Sequence, residues 1–278
     1  MKTWRMIIDV ARCIDCNDCA LACKDEHAEN GWPGYTLPQP RHGQRWIDIQ
    51  RSERGQHPLV DVAYMPVLCM NCADAPCIPA SGGAISRRDD GIVLIDQDKA
   101  KDNRHLLMAC PYGQIWWNDA ERTAQMCTFC AHLIDQGWKQ TRCVQACPTG
   151  ALQVEFIDDE AMERKVKAEG LEQLRPEFGA RPQVYYKNLY RFNTCMLAGS
   201  VAVQKDGILD CLPGVEIALF HEGRQIAKTL TDTFGDFRFD RLASGKAYKV
   251  QIAAKGKETK TVSVEKMEKG SSLGTILI

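Results

Sequence analysis

Fourteen cysteines are the residues of this sequence most suited to chemistry, and they are unevenly placed. Twelve lie before residue 148, and only Cys195 and Cys211 follow. Cys13, Cys16, Cys19 and Cys23 form a C-x2-C-x2-C-x3-C run. Far downstream stand Cys127 and Cys130, then, after twelve intervening residues, Cys143 and Cys147 with Pro148 behind it. Between these groups lie Cys69, Cys72 and Cys77, and a single Cys110 followed by Pro111. Thiolates so grouped are metal ligands, and the spacing speaks to which metal. Three thiolates on a tight loop cover three corners of an iron–sulfur cubane, while a fourth, one helical turn on, points toward a second cluster. Zinc sites pair two short hooks, a poor match to a three-Cys loop with a trailing Cys. The Cys127–Cys147 group alone could pass for a zinc ribbon, but its x3 step and Cys-Pro ending repeat the first grammar.

The first run is that of bacterial ferredoxins. By the crossing rule for two-cluster ferredoxins, Cys13, Cys16, Cys19 and Cys147 hold one cluster, and Cys127, Cys130, Cys143 and Cys23 hold another. The middle groups are incomplete. Four residues past Cys77 stands Ser81, and the segment after it, Gly82 to Ile85, is one residue shorter than Pro148 to Leu152. Counting back from Cys110 by the offsets of the first run reaches Leu106, Asn103 and Ala100, none of which replaces a thiolate. One site has therefore lost all four ligands, while Cys69, Cys72, Cys77 and Cys110 keep another complete. The expectation is three [4Fe–4S] clusters.

These ligands need short elements to carry them. The expected fold is α+β: a tandem ferredoxin-like iron–sulfur domain over 1–195, followed by an all-β immunoglobulin-like sandwich over 196–278. An insertion at about 28–66 is rich in turn formers and holds a strand candidate at 45–49. Residues 91–96 read as a buried strand. A helical extension covers about 153–195. Within it 159–170 has an Asp cap, acids first, bases later and a glycine stop. After residue 195 seven strand candidates follow (200–204, 215–220, 225–230, 236–240, 247–252, 261–264 and 273–278) with turn residues between them, which suggests the sandwich. Cys195 and Cys211 lie outside any ligand spacing and read as packing thiols.

Composition excludes other roles. Thirty-five Lys and Arg against 36 Asp and Glu leave a net charge of −1, so no nucleic-acid footprint is implied. No secretory signal and no membrane-spanning run is evident, so a cytoplasmic protein without direct membrane insertion is expected, its thiols reduced. The six histidines show no metal spacing and read as solvent-facing or packing residues. His105, in the vacated run, is one residue off every ligand offset. Trp116 and Trp117 read as core filling. No nucleophile elbow, phosphate loop or dinucleotide fingerprint is present, and no catalytic residue is assigned.

The groups Cys13–Cys23, Cys69–Cys77, Cys110-Pro111 and Cys127–Cys147 resemble those of the iron–sulfur subunits of the dimethyl sulfoxide reductase family of molybdenum enzymes. Most of those carry four clusters. The lost set narrows the resemblance, as do Asp25-Glu26-His27, Trp32 to Thr36, Val184 to Tyr190 and the appended sandwich. Together they point to members that transfer hydroxyl groups between polyhydroxylated benzenes. The resemblance implies a large partner subunit that carries molybdenum with two pterin guanine dinucleotides and the catalytic residues, in a heterodimer or a multiple of one. This chain would be the non-catalytic electron-transfer subunit. Two rivals stay open: electron transfer for another partner, such as resorcinol hydroxylase or an anaerobic respiratory reductase, and a zinc-stapled interaction module.

Overall fold

The computed structural model describes residues 1–268 and 270–278. Strands dominate and helices are few and short. The chain divides into two compact units, one of 1–50 and 64–189, the other of 51–63 and 190–278. Among the described residues no helix is long and apolar enough to cross a membrane.

In chain order the first unit begins with β1 (Lys2–Asp9) and α1 (Asp18–His27). The hairpin of β2 (Ile47–Gln56) and β3 (Leu59–Leu68) starts and ends in this unit, while its tip counts with the second. Then come α2 (Cys77–Ala80), β4 (Ile85–Arg87), β5 (Val93–Ile95), a 3-10 turn at Arg104–Ala109, β6 (Trp116–Asn118) and β7 (Thr123–Gln125). They are followed by α3 (Ala131–Asp135), α4 (Arg142–Gln145), β8 (Leu152–Asp158), α5 (Asp159–Glu169), β9 (Glu172–Gln173) and β10 (Val184–Lys187). A four-stranded sheet of order β8-β1-β10-β9 anchors the unit. β1 is inside it, and the run from Trp4 to Ile8 is buried throughout, as a strand covered on both faces requires. From β1, Ile7 meets Met162 and Leu171 under α5.

Helix α5 forms where its cap and stop signals place it, with one correction. The cap is Asp158, not Asp159: its side chain accepts from the Ala161 N–H at 2.8 Å, and the helix closes on Gly170 at φ 62°. The insertion strand also shifts, from 45–49 to Ile47–Gln56, because pairing with β3 rather than local β propensity sets its limits.

Beyond residue 194 the second unit carries eight strands among the described residues: β11 (Cys195–Lys205), β12 (Ile208–Cys211), β13 (Glu216–His221), β14 (Arg224–Leu230), β15 (Asp236–Leu242), β16 (Lys246–Ala253), β17 (Lys260–Met267) and β18 (Ser271–Leu277). β12, β15 and β18 all pair with β11, and a second sheet runs β14-β13-β16-β17. One apolar core takes residues from both sheets, including Leu197, Ile217, Phe237, Val250 and Ile276. Seven strands match the sequence expectation. β12 is the eighth, and all four of its residues are exposed, so it offered no apolar alternation to read. Cys195 is buried, but Cys211 is exposed and is not a packing thiol.

Candidate metal centres

The ligand loops are curled by residues in left-handed backbone. Asp15 and Asn17 (φ 60° and 64°) bend the first run, Asn71 (φ 43°) the second, and Phe129 and Cys130 (φ 54° and 50°) the third. Asn and Asp accept this geometry most readily, and Asn17 donates to the Asp15 carbonyl at 2.9 Å. Such curls turn successive thiols toward one point.

Helix α1 then sets three residues at i, i+4 spacing, Cys19, Cys23 and His27, all buried. It packs beside α4, which carries Cys143, and Cys147 follows just past the end of α4. The middle of the unit repeats the plan: α2, starting at Cys77, packs on the 3-10 turn that Cys110 follows.

Cys23, Cys127, Cys130 and Cys143 line one small cavity. Cys69, Cys72, Cys77 and Cys110 line another. Cys13 lies within electrostatic reach of Cys147 and Cys16, and Cys19 of Cys13 and Cys16. In this third group Cys16 is exposed and Cys13 and Cys147 half-buried. The three groups stand in a row: Cys19 feels Cys143, and Cys127 feels Cys69. Among the described residues no three His, Cys, Asp or Glu side chains are grouped to hold a single metal ion.

The positions of the expected fourth set carry no thiol. Ala100 and Leu106 are fully buried, and the buried Ser81 hydroxyl donates to the Ile78 carbonyl at 2.7 Å while accepting from the Ile85 N–H at 2.9 Å.

Burial dominates the electrostatics. It pushes the thiols of Cys19, Cys72 and Cys130 up to about 12 and Cys77 to about 11. Cys23, Cys69 and Cys127 are also driven well up, by burial first and then by neighbouring thiols. At Cys147 burial is outweighed by N–H groups of Leu152, Ala151 and Thr149 and by the Thr149 hydroxyl, which hold it below its usual range. Sets of four largely buried thiols facing one small cavity fit a cationic iron–sulfur core, because a metal core makes four adjacent thiolates favourable there.

Sequence reasoning missed the non-cysteine wall of the Cys23 cavity, which includes His27, Trp46 and Thr128. The histidines are also not all scattered. His27 and His132 are both buried with ring centroids 5.2 Å apart, and Trp32 stacks on His132 at 4.2 Å. His132 Nε2 lies 2.9 Å from Glu26 Oε1. Burial, then His132, pushes His27 down to about 3, so its ring is neutral at pH 7. The i, i+4 step from Cys23 to His27 was the one signal for this neighbour.

Fold and sites define a [4Fe–4S] protein, and the model of the 4Fe-4S dicluster domain matches residues 60–156. The chain is 46% identical to the pyrogallol hydroxytransferase small subunit of Pelobacter acidigallici, over 99% of both chains. It is 29% identical to a subunit of the sulfite dehydrogenase of Allochromatium vinosum, over 67% of this chain and 83% of that one. With a subunit of the tetrathionate reductase of Salmonella typhimurium it shares 30% identity, over 67% of this chain and 72% of the relative. The chain belongs to the iron–sulfur subunits of the dimethyl sulfoxide reductase family of molybdenum enzymes, and within them to the pyrogallol hydroxytransferase small subunits.

Proposed function

We propose that this chain holds three [4Fe–4S] clusters and serves as the electron-transfer subunit of a molybdenum hydroxytransferase that converts pyrogallol to phloroglucinol. Cys13, Cys16, Cys19 and Cys147 hold one cluster, Cys23, Cys127, Cys130 and Cys143 the second, and Cys69, Cys72, Cys77 and Cys110 the third. Each cluster supplies one-electron storage; the chain provides thiolates, burial and hydrogen bonds that set how readily the electron is held. A large partner subunit carries the molybdenum with two pterin guanine dinucleotides, in a cytoplasmic heterodimer or a multiple of one. The second unit is an immunoglobulin-like sandwich, separable as a domain near residue 195.

The observation that carries this reading is identity along nearly the whole chain, the second unit included, to a subunit named for that activity. Relatives named for other reactions match about two thirds of the chain, and they supply the alternative: the same electron-transfer role beside a different molybdenum subunit. Anaerobic co-purification tests both. We expect a large molybdenum subunit, pyrogallol-to-phloroglucinol activity, and about twelve iron and twelve labile sulfide per small subunit. Stoichiometric zinc with little iron sinks the cofactor assignment. A molybdenum complex inert toward pyrogallol supports the alternative.

A further inference from the structure

The walls of the two enclosed cysteine cavities differ in a way their ligands do not. His27 Nδ1, Trp46 Nε1 and Thr128 Oγ1 are buried and have no hydrogen-bond partner. All three residues line the cavity of Cys23, Cys127, Cys130 and Cys143. Their exposures are 1%, 1% and 4%, so water outside the protein is not their partner. Arg142 lines the same wall, with its Nε facing Glu26 Oε2 at 3.0 Å.

The cavity of Cys69, Cys72, Cys77 and Cys110 is of similar size, and its other lining is almost all carbon and thioether, with Met70, Pro76, Val93, Ile115 and Met126. Its hydroxyl, that of Tyr112, is already donated to the Leu174 carbonyl at 3.2 Å. Buried donors are matched with acceptors in nearly all native proteins, and an unmatched one is costly. With the His27 ring protonated at Nδ1, the three are unmatched donors around one cavity and call for an acceptor inside it. The sulfur atoms of an iron–sulfur core are acceptors of that kind, on the reading above that this cavity holds one.

We propose that His27, Trp46 and Thr128 donate hydrogen bonds to the sulfurs of the cluster held by Cys23, Cys127, Cys130 and Cys143, and thereby raise its reduction potential. A hydrogen bond to sulfur stabilises the reduced core, which carries one more negative charge, more than the oxidised one. A nearby hydroxyl adds to the effect: Thr141 Oγ1 lies 3.1 Å from Cys143 Sγ and donates once that sulfur is a thiolate. This cavity is the middle member of the row of three.

The test uses the full chain with its clusters, prepared without oxygen and titrated with dithionite and mediators under electron paramagnetic resonance. Cys72→Ser marks the signal of the Cys69 cluster. Thr128→Val removes a hydroxyl at nearly constant shape, and Trp46→Phe removes the indole N–H. Each is expected to weaken one-electron reduction of the middle cluster about tenfold, a fall of about 59 mV, with the Cys69 cluster unmoved. In the unaltered chain labelled with ¹⁵N-histidine, pulsed resonance should show ¹⁵N coupling to the middle cluster, a readout that needs no variant to fold. Unchanged potentials in Thr128→Val or absence of that coupling overturns the proposal. Iron and sulfide far below about twelve each would instead overturn the three-cluster reading on which it rests.

Discussion

Ser81 stands where the cysteine pattern places a fourth ligand. Its hydroxyl is fully engaged within its own turn, and Leu106 and Ala100 occupy the core at 1% and 0% exposure. A single thiol cannot reopen such a site, since a cubane asks for four ligands and the space is filled by carbon. Ser81→Cys is therefore expected to leave iron at about twelve per chain, measured by metal analysis after anaerobic reconstitution. Cys23 and Cys147 carry the complementary expectation. Cys23 lines the cavity of Cys127, and Cys147 lies near Cys13. Cys147→Ala should damage the cluster at Cys13, Cys16 and Cys19 and leave the Cys127 cluster with four protein ligands; Cys23→Ala should do the reverse. Site-resolved spectra distinguish them. Loss of the same signal in both variants would refute the crossed assignment.

At the scale of elements, the short helices owe their places to the ligands more than to propensity. Helix α1 starts without a side-chain cap, behind Asn17 in left-handed backbone, and its buried stripe is Cys19, Cys23 and His27 rather than a run of large aliphatics. Helix α5 is the contrast, an element with ordinary local signals at both ends. Its stop, Gly170, has φ 62° with nothing within 4 Å of the place a Cβ would occupy. Gly170→Ala therefore meets no clash and pays only for the backbone, an expected loss of about 1 kcal/mol seen as a small shift in a denaturation midpoint. A loss several times larger would mean that the turn packs more tightly than its open surroundings indicate.

At the scale of the whole molecule, the second unit recruits a piece of chain from far upstream. Arg54, 2% exposed, pairs with Asp240 at 3.0 Å and with Asp61 at 2.5 Å, and Asp61 also meets Arg191 and Arg238. Gly270 sits so close to this hairpin tip that a Cβ would lie 2.2 Å from the Gly55 nitrogen. Gly270→Ala should thus cost about 3 kcal/mol, the upper end for an overpacked site, measured by denaturation of the full chain. The apolar core of the unit lies wholly within residues 195–276. A fragment of 196–278 is expected to fold in air without clusters, but with a lower denaturation midpoint than the unit has in the full chain, because Arg54 and Asp61 are missing. An unfolded fragment would show that the tip is part of what makes the unit fold.

What the sequence determined is the chemistry that local spacing encodes. Four thiols at fixed steps along a tight loop have few ways to be arranged, so the iron–sulfur class was legible from the cysteine groups one residue at a time. So were α5 and seven strands of the second unit, whose cap, stop and alternation are short-range signals. The tertiary structure decided what depends on residues far apart in the chain. It set His27, Trp46 and Thr128 on one wall, put a hairpin tip from 51–63 into the second unit, and paired the fully exposed β12 with β11. None of these leaves a periodic trace, because an orphaned donor, a buried arginine or a solvated edge strand is defined by its neighbours in space and not by those in sequence.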